Sequence, residues 1–369
     1  MYSTSIQASH TTSSGLTDRK NTFVGHSSRQ SDFGERGIVR PSATSCKTLL
    51  LTVVMRAIHC VHVPILRIKK LLRILGNMKK LMVILLLIMT VQVIIAQDKQ
   101  ALLIGISRYS SVSNSPWSDI HGKEDVSLIA SVLKKQGFRI DSITDSENPT
   151  KENIVNAIRK ITRNIKKGSI VYLHFSTHGQ PVEDGLLNKT KDEDDEWDES
   201  IIPIDAGIKY NKEKDYGQLH LIDDEIDFYV NLIRKKIGPR GYLYITIDAC
   251  HAGTMIRGDE GARGISLGFS SSGKKYSPPL IEKRHYKLAV GQFLSPVLCI
   301  EACKARETNK EIRLPDGRRY GSLSLNVYYA LQEHPLSLDG KQFENDVRNS
   351  IRNKGLWHSN QTLVVETSE

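Results

Sequence analysis

Acidic residues are missing from a long stretch near the start of this 369-residue chain: no Asp or Glu occurs between positions 36 and 97. Residues 1–96 hold 13 Lys and Arg against 3 Asp and Glu, so this segment accounts for the formal net charge of +10. The remaining residues carry basic and acidic side chains in equal numbers. Because the folded part is then close to neutral, we expect no nucleic-acid partner, although the overall charge would suggest one.

A basic start followed by an apolar run predicts a secretory signal peptide over residues 78–96. Two lysines precede an uninterrupted apolar stretch, residues 81–89, and Ala96 is the small residue expected at the cleavage point. The alternative is a membrane anchor, because the stretch approaches the length that spans a bilayer. Polar Thr90 interrupts it, however, so we expect a secreted or periplasmic protein without a stable membrane anchor.

The segment before this signal does not have the pattern of a folded domain. It mixes Ser/Thr-rich polar sequence with basic apolar patches that lack helix caps. We expect residues 1–77 to be a non-native or disordered extension, Met78 to be the true initiator, and the mature chain to begin at Gln97.

Cysteine is scarce, with five residues in the whole chain and three after the predicted signal peptide. An odd number in an exported protein leaves at least one free thiol. Cys299 and Cys303 lie on or beside an apolar run, where a small buried hydrophobic role is expected. Cys250 is therefore the thiol that invites a chemical interpretation.

The mature chain alternates strands with helices, which predicts an α/β fold: a mostly parallel sheet between two helical layers, or three-layer α/β/α sandwich. Residues 97–369 are expected to form one domain that ends in a helical and strand extension. Two segments, Gln180–Gln218 and Thr254–Tyr286, interrupt the alternation and are predicted to be loops. The predicted strands are 100–107, 138–144, 171–179, 242–250 and 296–302, and the predicted helices are 119–136, 150–165, 223–237, 322–332 and 342–353.

Two of the predicted strands each lead to a reactive side chain. Residues 171–179 end in His178-Gly179, and the run that begins at Tyr242 leads to Cys250. Carboxyl ends of parallel strands meet at one edge of a sheet, so this thiol and this imidazole are expected to meet in one cleft. The pattern predicts a catalytic dyad, and the alternatives are a buried structural thiol and a core histidine.

These motifs resemble those of the metacaspases and related bacterial caspase-like peptidases. The matching stretches are His174-Phe-Ser-Thr-His-Gly179, Asp248-Ala-Cys-His-Ala-Gly253 and, further on, Cys299–Ala305. The resemblance covers about residues 98–335, which would then be the core of the domain. It implies the caspase-like (caspase-hemoglobinase) fold and a cysteine-type endopeptidase that acts on proteins or peptides and requires no cofactor.

The resemblance also implies the roles of the site residues. Cys250 would be the nucleophile and His178 the general base, and the backbone N–H groups of Gly179 and Cys250 would form the oxyanion hole. Alternation along an extended chain is expected to place Ser176 on the same side of its strand as His178, and to turn His251 away from the reacting bond.

In this family an acidic pocket accepts the Arg or Lys before the scissile bond. Asp125 and Asp248 stand at the matching positions, and Ser176 is a further candidate substrate-binding residue. A buried carboxylate pair is physically suited to a guanidinium, since an unpaired charge there would be costly. The alternatives are an ordinary first-turn helix residue for Asp125 and a backbone cap for Asp248. We predict cleavage after Arg or Lys.

The loop predicted after Gly253 is itself rich in basic residues, so self-processing there is a further hypothesis. The alternative is that these side chains serve solubility alone. The residues concerned are Arg257, Arg263, Lys274, Lys275, Lys283 and Arg284.

Calcium is considered as an activator because the insertion at residues 191–199 is strongly acidic. Calcium-dependent family members match at Asp198, Asp223 and Asp224, but a further acidic position of theirs is Arg257 here. The alternative is a solvated acidic loop, which charge runs usually are.

Other readings of the sequence remain open. One is a catalytically silent caspase-fold binding module, and another is a different secreted Arg/Lys-specific peptidase family with the same fold. A metal site that uses His174, His178, Cys250 and His251 lacks the paired spacing of a zinc centre. Nothing in the sequence predicts an oligomeric state.

Overall fold

The computed structural model describes residues 97–112, 117–187, 195–250, 261–279 and 288–368. The predicted signal peptide at 78–96 and the extension at 1–77 lie outside these ranges, as does His251. Within the described ranges, no helix combines the length and the apolar composition needed to cross a bilayer.

Strands and helices alternate through most of the described chain. In order they are β1 (Lys99–Gly105), α1 (Gly122–Lys135), β2 (Arg139–Ile143), α2 (Lys151–Asn164), β3 (Ile170–Ser176), β4 (His178–Glu183), β5 (Trp197–Ile202), β6 (Leu221–Ile222), α3 (Asp223–Ile237), β7 (Tyr242–Asp248), β8 (Val297–Glu301), β9 (Glu311–Arg313), β10 (Arg319–Gly321), α4 (Ser322–Glu333), α5 (Gly340–Lys354) and β11 (Val364–Thr367).

A six-stranded sheet forms the middle layer, with strand order β11-β8-β7-β3-β1-β2. All neighbouring strands are parallel except β11, which runs antiparallel to β8. Every residue of β3 is buried, which explains its continuous apolar character. Val171 packs in a cluster with residues of α2 and α3, whereas Tyr172 packs with residues of α1, α4 and α5. Helices therefore cover both faces, and the predicted three-layer α/β/α fold is confirmed.

Helix boundaries follow local capping chemistry. The Thr150 hydroxyl accepts the N–H of Asn153 and starts α2, as expected of an N-cap threonine. Gly238 ends α3 with a φ of +66°, a conformation that glycine adopts readily. By contrast, α1 begins at Gly122 instead of Asp119, because the Asp119 carboxylate accepts hydrogen bonds from Ser110.

The prediction of a loop at Gln180–Gln218 is wrong for part of its length. Strands β4, β5 and β6 pair antiparallel in a second, three-stranded sheet. Their polar side chains made these strands look like a loop in the sequence. In the fold these side chains form hydrogen bonds: the Gln180 amide donates to the carbonyls of Ile208 and Leu267.

The predicted strand 171–179 is in fact divided. Strand β3 ends at Ser176, and His178 begins β4 in the other sheet. The alternation that was expected to align Ser176 with His178 therefore does not apply, and the two side chains serve different parts of the site. The β9–β10 hairpin was also not predicted, because each strand has only three residues.

Candidate active site

The ends of β3 and β7 bring the two motifs together. These strands pair in register with Ser176 opposite Asp248, so His178 and Cys250 each follow two residues after the paired strand ends. The backbone N–H groups of Gly179 and Cys250 donate to one oxygen, the carbonyl of Arg263, at 3.1 and 3.0 Å. Two convergent N–H groups on a peptide carbonyl are the arrangement of an oxyanion hole.

The His178 ring is held in one neutral tautomer. Its Nε2 lies 2.8 Å from the carbonyl oxygen of Ser118, which can only accept, so Nε2 carries the proton. The lone pair of Nδ1 then has no hydrogen-bond partner among the described residues. An imidazole with one nitrogen tied to a carbonyl and the other free is prepared to accept a proton from a thiol.

Two aromatic rings enclose this imidazole. The Trp117 ring stacks on it at a centroid distance of 5.1 Å, and the Tyr109 ring lies tilted at 4.8 Å. Burial lowers the pKa of His178 to about 4, although the Ser118 carbonyl opposes this shift. The ring is therefore neutral at pH 7, as a general base must be.

Cys250 is fully buried, and it forms no disulfide with the other cysteines of the described residues. Its Sγ lies 3.0 Å from the carbonyl oxygen of Glu307. The thiol of Cys303 shares this acceptor at 3.5 Å and forms a small buried cluster with Cys250. A hydrogen bond with Cys250, together with burial, raises the pKa of Cys303, so this second thiol stays protonated.

A pocket of buried carboxylates lies beside the dyad and contains the Arg263 side chain. Its Nη2 lies 2.8 Å from Asp125 Oδ2 and 2.8 Å from Glu311 Oε1. Its Nη1 donates to the Ser176 hydroxyl at 2.5 Å and lies 3.8 Å from Asp248 Oδ1. The side chains of Arg263, Asp125 and Asp248 are 0% exposed, so these charges interact without screening by water.

Secondary structure fixes the two predicted aspartates. Asp125 lies in the first turn of α1 and accepts the N–H of Gly321. Asp248 accepts the N–H and hydroxyl of Ser324 at the start of α4, and the amide of Asn309. A helix N-terminus favours a carboxylate, which helps to offset the burial of Asp248. Burial raises the pKa of Asp125, against the opposing effect of Arg263.

The backbone around Arg263 is bound as an added strand. Its N–H donates to the carbonyl of Asn309, and the N–H of Glu311 donates to the carbonyl of Gly261. On the other side, the N–H of Ile265 donates to the carbonyl of Gly179. The segment 262–265 therefore runs through the cleft in an extended form, which is how peptides add to a sheet edge.

Other predicted residues lie apart from this arrangement. His174 is buried, and its ring contacts the hydroxyls of Thr246 and Ser324, which is a structural role. Asp198 lies on β5, and Asp223 and Asp224 begin α3. Within the part of the chain that the structure describes, no three His, Cys, Asp or Glu side chains are grouped so as to hold a metal ion. Residues 188–194 and 251–260 lie outside that part, so calcium binding stays a prediction.

Sequence reasoning missed Glu311, Trp117 and Tyr109, and it mentioned Arg263 only as one of several basic residues. None of these residues belongs to a recognisable motif. The only signal was the small-residue context of Arg263, Gly261-Ala262-Arg263-Gly264, which suits an extended segment in close contact with a cleft.

Comparisons with known proteins support the family that the motifs suggested. The profile described as "Metacaspase, peptidase C14 domain" matches residues 99–258. This part of the chain therefore resembles a metacaspase peptidase domain, which supports a cysteine-type endopeptidase. The predicted resemblance is thereby confirmed. The matched range includes the two motifs, and it ends before Arg263 and Glu311.

Curated relatives agree with this assignment. Over 169 residues the chain is 30% identical to Metacaspase-1 of Eremothecium gossypii and 30% identical to Metacaspase-1B of Aspergillus fumigatus. Over 165 residues it is 32% identical to Metacaspase III c of Phaeodactylum tricornutum. Each alignment covers 43% of this chain, but only 33%, 36% and 44% of the respective relatives. The chain thus matches less than half of the length of these relatives.

Proposed function

We propose that the protein is a cysteine endopeptidase that hydrolyses peptide bonds after Arg or Lys. One observation carries the proposal: a single residue, Arg263, has its side chain among three carboxylates while its carbonyl oxygen accepts two convergent N–H groups. The first feature supports a basic side chain before the scissile bond. The second supports attack at the carbonyl of that same residue.

The proposed chemistry uses Cys250 and His178 as a dyad. Nδ1 of His178 takes the thiol proton of Cys250, and the sulfur attacks the carbonyl carbon of the basic residue. The N–H groups of Gly179 and Cys250 hold the resulting oxyanion. The imidazolium then protonates the leaving amide nitrogen and leaves a thioester. Water hydrolyses the thioester, which releases a new carboxylate and restores the thiol.

The bond between Arg263 and Gly264 is proposed as the chain's own substrate. Gly264 continues the bound segment and lies so close to the site that a Cβ there would be 1.6 Å from the carbonyl oxygen of Cys250. Until that bond is cut, Arg263 occupies the pocket that an external substrate needs. Self-processing and substrate access are therefore coupled.

Peptide substrates test the specificity. The full chain is incubated with fluorogenic peptides that end in Arg, Lys or Asp before the fluorophore. We expect hydrolysis of the Arg and Lys peptides only. Cys250→Ala should abolish this hydrolysis. Cys299→Ala, which removes an equally buried thiol on β8, should leave it intact. Cleavage after Asp, or activity that survives Cys250→Ala, contradicts the proposal.

Mass spectrometry of the stored protein tests self-processing. We expect a fragment that begins at Gly264, absent from Cys250→Ala and from Arg263→Gln but present in the matched loop variant Lys274→Gln. The same fragment in Cys250→Ala would assign the cut to a contaminating protease.

Export and calcium activation are part of the proposal but rest on the sequence. The pattern at residues 78–96 supports export, and N-terminal sequencing of the secreted protein should begin at Gln97. The acidic residues Asp198, Asp223 and Asp224 support calcium activation. Hydrolysis should then rise with added calcium and fall with a chelator, and equal rates in both would refute it.

A further inference from the structure

Glu311 provides a third carboxylate in the pocket. The family motifs predicted only the other two, Asp125 and Asp248. Glu311 is the first residue of β9, and its side chain is only 2% exposed. Its Oε1 and the Oδ2 of Asp125 lie at the same distance, 2.8 Å, from Nη2 of Arg263. One terminal nitrogen of the guanidinium is thus held between two carboxylates.

His121 fixes the orientation of this carboxylate. The backbone N–H of His121 donates to Oε1 of Glu311 at 2.7 Å, and its Nδ1 lies 2.7 Å from Oε2. Burial would raise the pKa of Glu311, but the charge of Arg263 and the contacts with His121 hold it at about 2. Glu311 is therefore ionised and aimed at a fixed point.

The position of the Glu311 carboxylate favours an Arg side chain over a Lys side chain. A guanidinium is planar and carries two terminal nitrogens, whereas lysine ends in a single nitrogen on a chain that is one bond shorter. Glu311 and Asp125 both contact Nη2, whereas Ser176 and Asp248 contact Nη1. A lysine at the same backbone position stops short of Glu311.

We propose that Glu311 is the residue that makes this pocket prefer Arg over Lys. The inference rests on the proposed function, since it concerns the residue before the scissile bond. It divides the pocket into two parts. Asp248 lies at Nη1, and Asp125, which contacts Nη2, also accepts the Ser176 hydroxyl that contacts Nη1, so these two aspartates are placed to attract either cation. Glu311 contacts Nη2 alone, so it stabilises only the side chain that reaches it.

The ratio of kcat/KM for an Arg peptide to kcat/KM for the matching Lys peptide measures this preference. Arg263 competes with both peptides for the same pocket, so its occupancy changes both rates by one factor and leaves the ratio unaffected. The same holds if part of the enzyme has cut itself. The ratio therefore reports the pocket alone.

The test compares Glu311→Gln with the native protein. A hydrogen bond to a charged group corresponds to about a 10- to 100-fold effect, so kcat/KM for the Arg peptide should fall by about that factor, and for the Lys peptide by less than about threefold. Asp316→Asn, in the exposed turn of the same hairpin, is the matched control and should leave the ratio unchanged. An equal fall for both peptides, or a native ratio near one, overturns the inference.

A measurement without catalysis distinguishes this inference from the proposed function. In a Cys250→Ala background, the urea midpoint is compared for Arg263 and Arg263→Lys, each with Glu311 and with Glu311→Gln. We expect Glu311→Gln to lower the midpoint more when Arg263 is present than when lysine replaces it. Equal shifts overturn the inference even if the enzyme cuts after Arg. An enzyme that hydrolyses neither peptide refutes the proposed function, and the midpoints still decide the role of Glu311.

Discussion

Removal of the guanidinium from the pocket is the most direct test of the site. Arg263→Gln, made in a Cys250→Ala background to prevent proteolysis, leaves Asp125, Asp248 and Glu311 without their common partner. Breaking a buried ion pair from one side costs about 3–5 kcal/mol, because the remaining charge is left desolvated. The side chains of Arg263 and both aspartates are fully buried, so no discount for solvent screening applies.

The loss should depend on pH. Without Arg263, the charge that opposes the effect of burial on Asp125 is gone, so the pKa of this carboxyl rises further above its unfolded value near 4. The folded state then binds more protons than the unfolded state, so the variant gains stability as pH falls through that raised pKa. We expect the difference from the parent to be smaller at pH 5 than at pH 8.

Urea denaturation at the two pH values measures both effects. Lys274→Gln is the control, since Lys274 forms a partly exposed ion pair with Glu196 in the same region and should cost less than about 1 kcal/mol. A loss below about 1 kcal/mol for Arg263→Gln, or a loss that grows as pH falls, would refute the assignment of Arg263 to the pocket.

Three further predictions concern neighbouring features. Gly264→Ala introduces a Cβ that would be 1.6 Å from the Cys250 carbonyl oxygen, so the segment around Arg263 should leave the cleft. Mass spectrometry should then show slower cutting after Arg263, and added Arg peptides should be hydrolysed faster. Thr150→Ala removes the cap of α2 and should cost about 1 kcal/mol in thermal denaturation, with unchanged activity in the peptide assay. Burial lowers the pKa of His178 to about 4. The stability that depends on its neutral form should therefore be lost as pH falls from about 6.5 towards 4. The urea midpoint of His178→Asn should depend less steeply on pH than that of the parent.

The sequence predicted those parts of the fold that are governed by local patterns. Helix α3 has the predicted bounds, because its apolar positions Ile226, Val230 and Ile233 repeat at helical spacing and Gly238 stops it. The strand that leads to Cys250 was visible as an apolar run between turn residues. Strand β5 was not visible in the sequence. It begins with Trp-Asp-Glu-Ser, which has the composition of an exposed loop, and the residues that bury it are known only from the fold.

The unpredicted part of the site depends on long-range contacts. Asp125 and Asp248 came from motifs, but Glu311 comes from a three-residue strand that has no pattern of its own. Its position is fixed by His121, far away in the sequence. A single chain gives no means of pairing these residues before the fold is known, because their association is decided by the packing of the hairpin against α1.

The charges of the pocket connect specificity with control of activity. Three buried carboxylates face Arg263, and among the residues that the structure describes His121 lies at their edge as a second basic side chain. An empty pocket is therefore costly, and this cost favours any basic side chain that enters. A tethered residue enters first, because a short linker gives it an effective concentration in the millimolar range. External substrates must compete with that concentration until the bond after Arg263 is cut. In the proposed function, the interactions that select a substrate are thus the same ones that would hold the uncut chain inactive, and a variant that weakens one should weaken both.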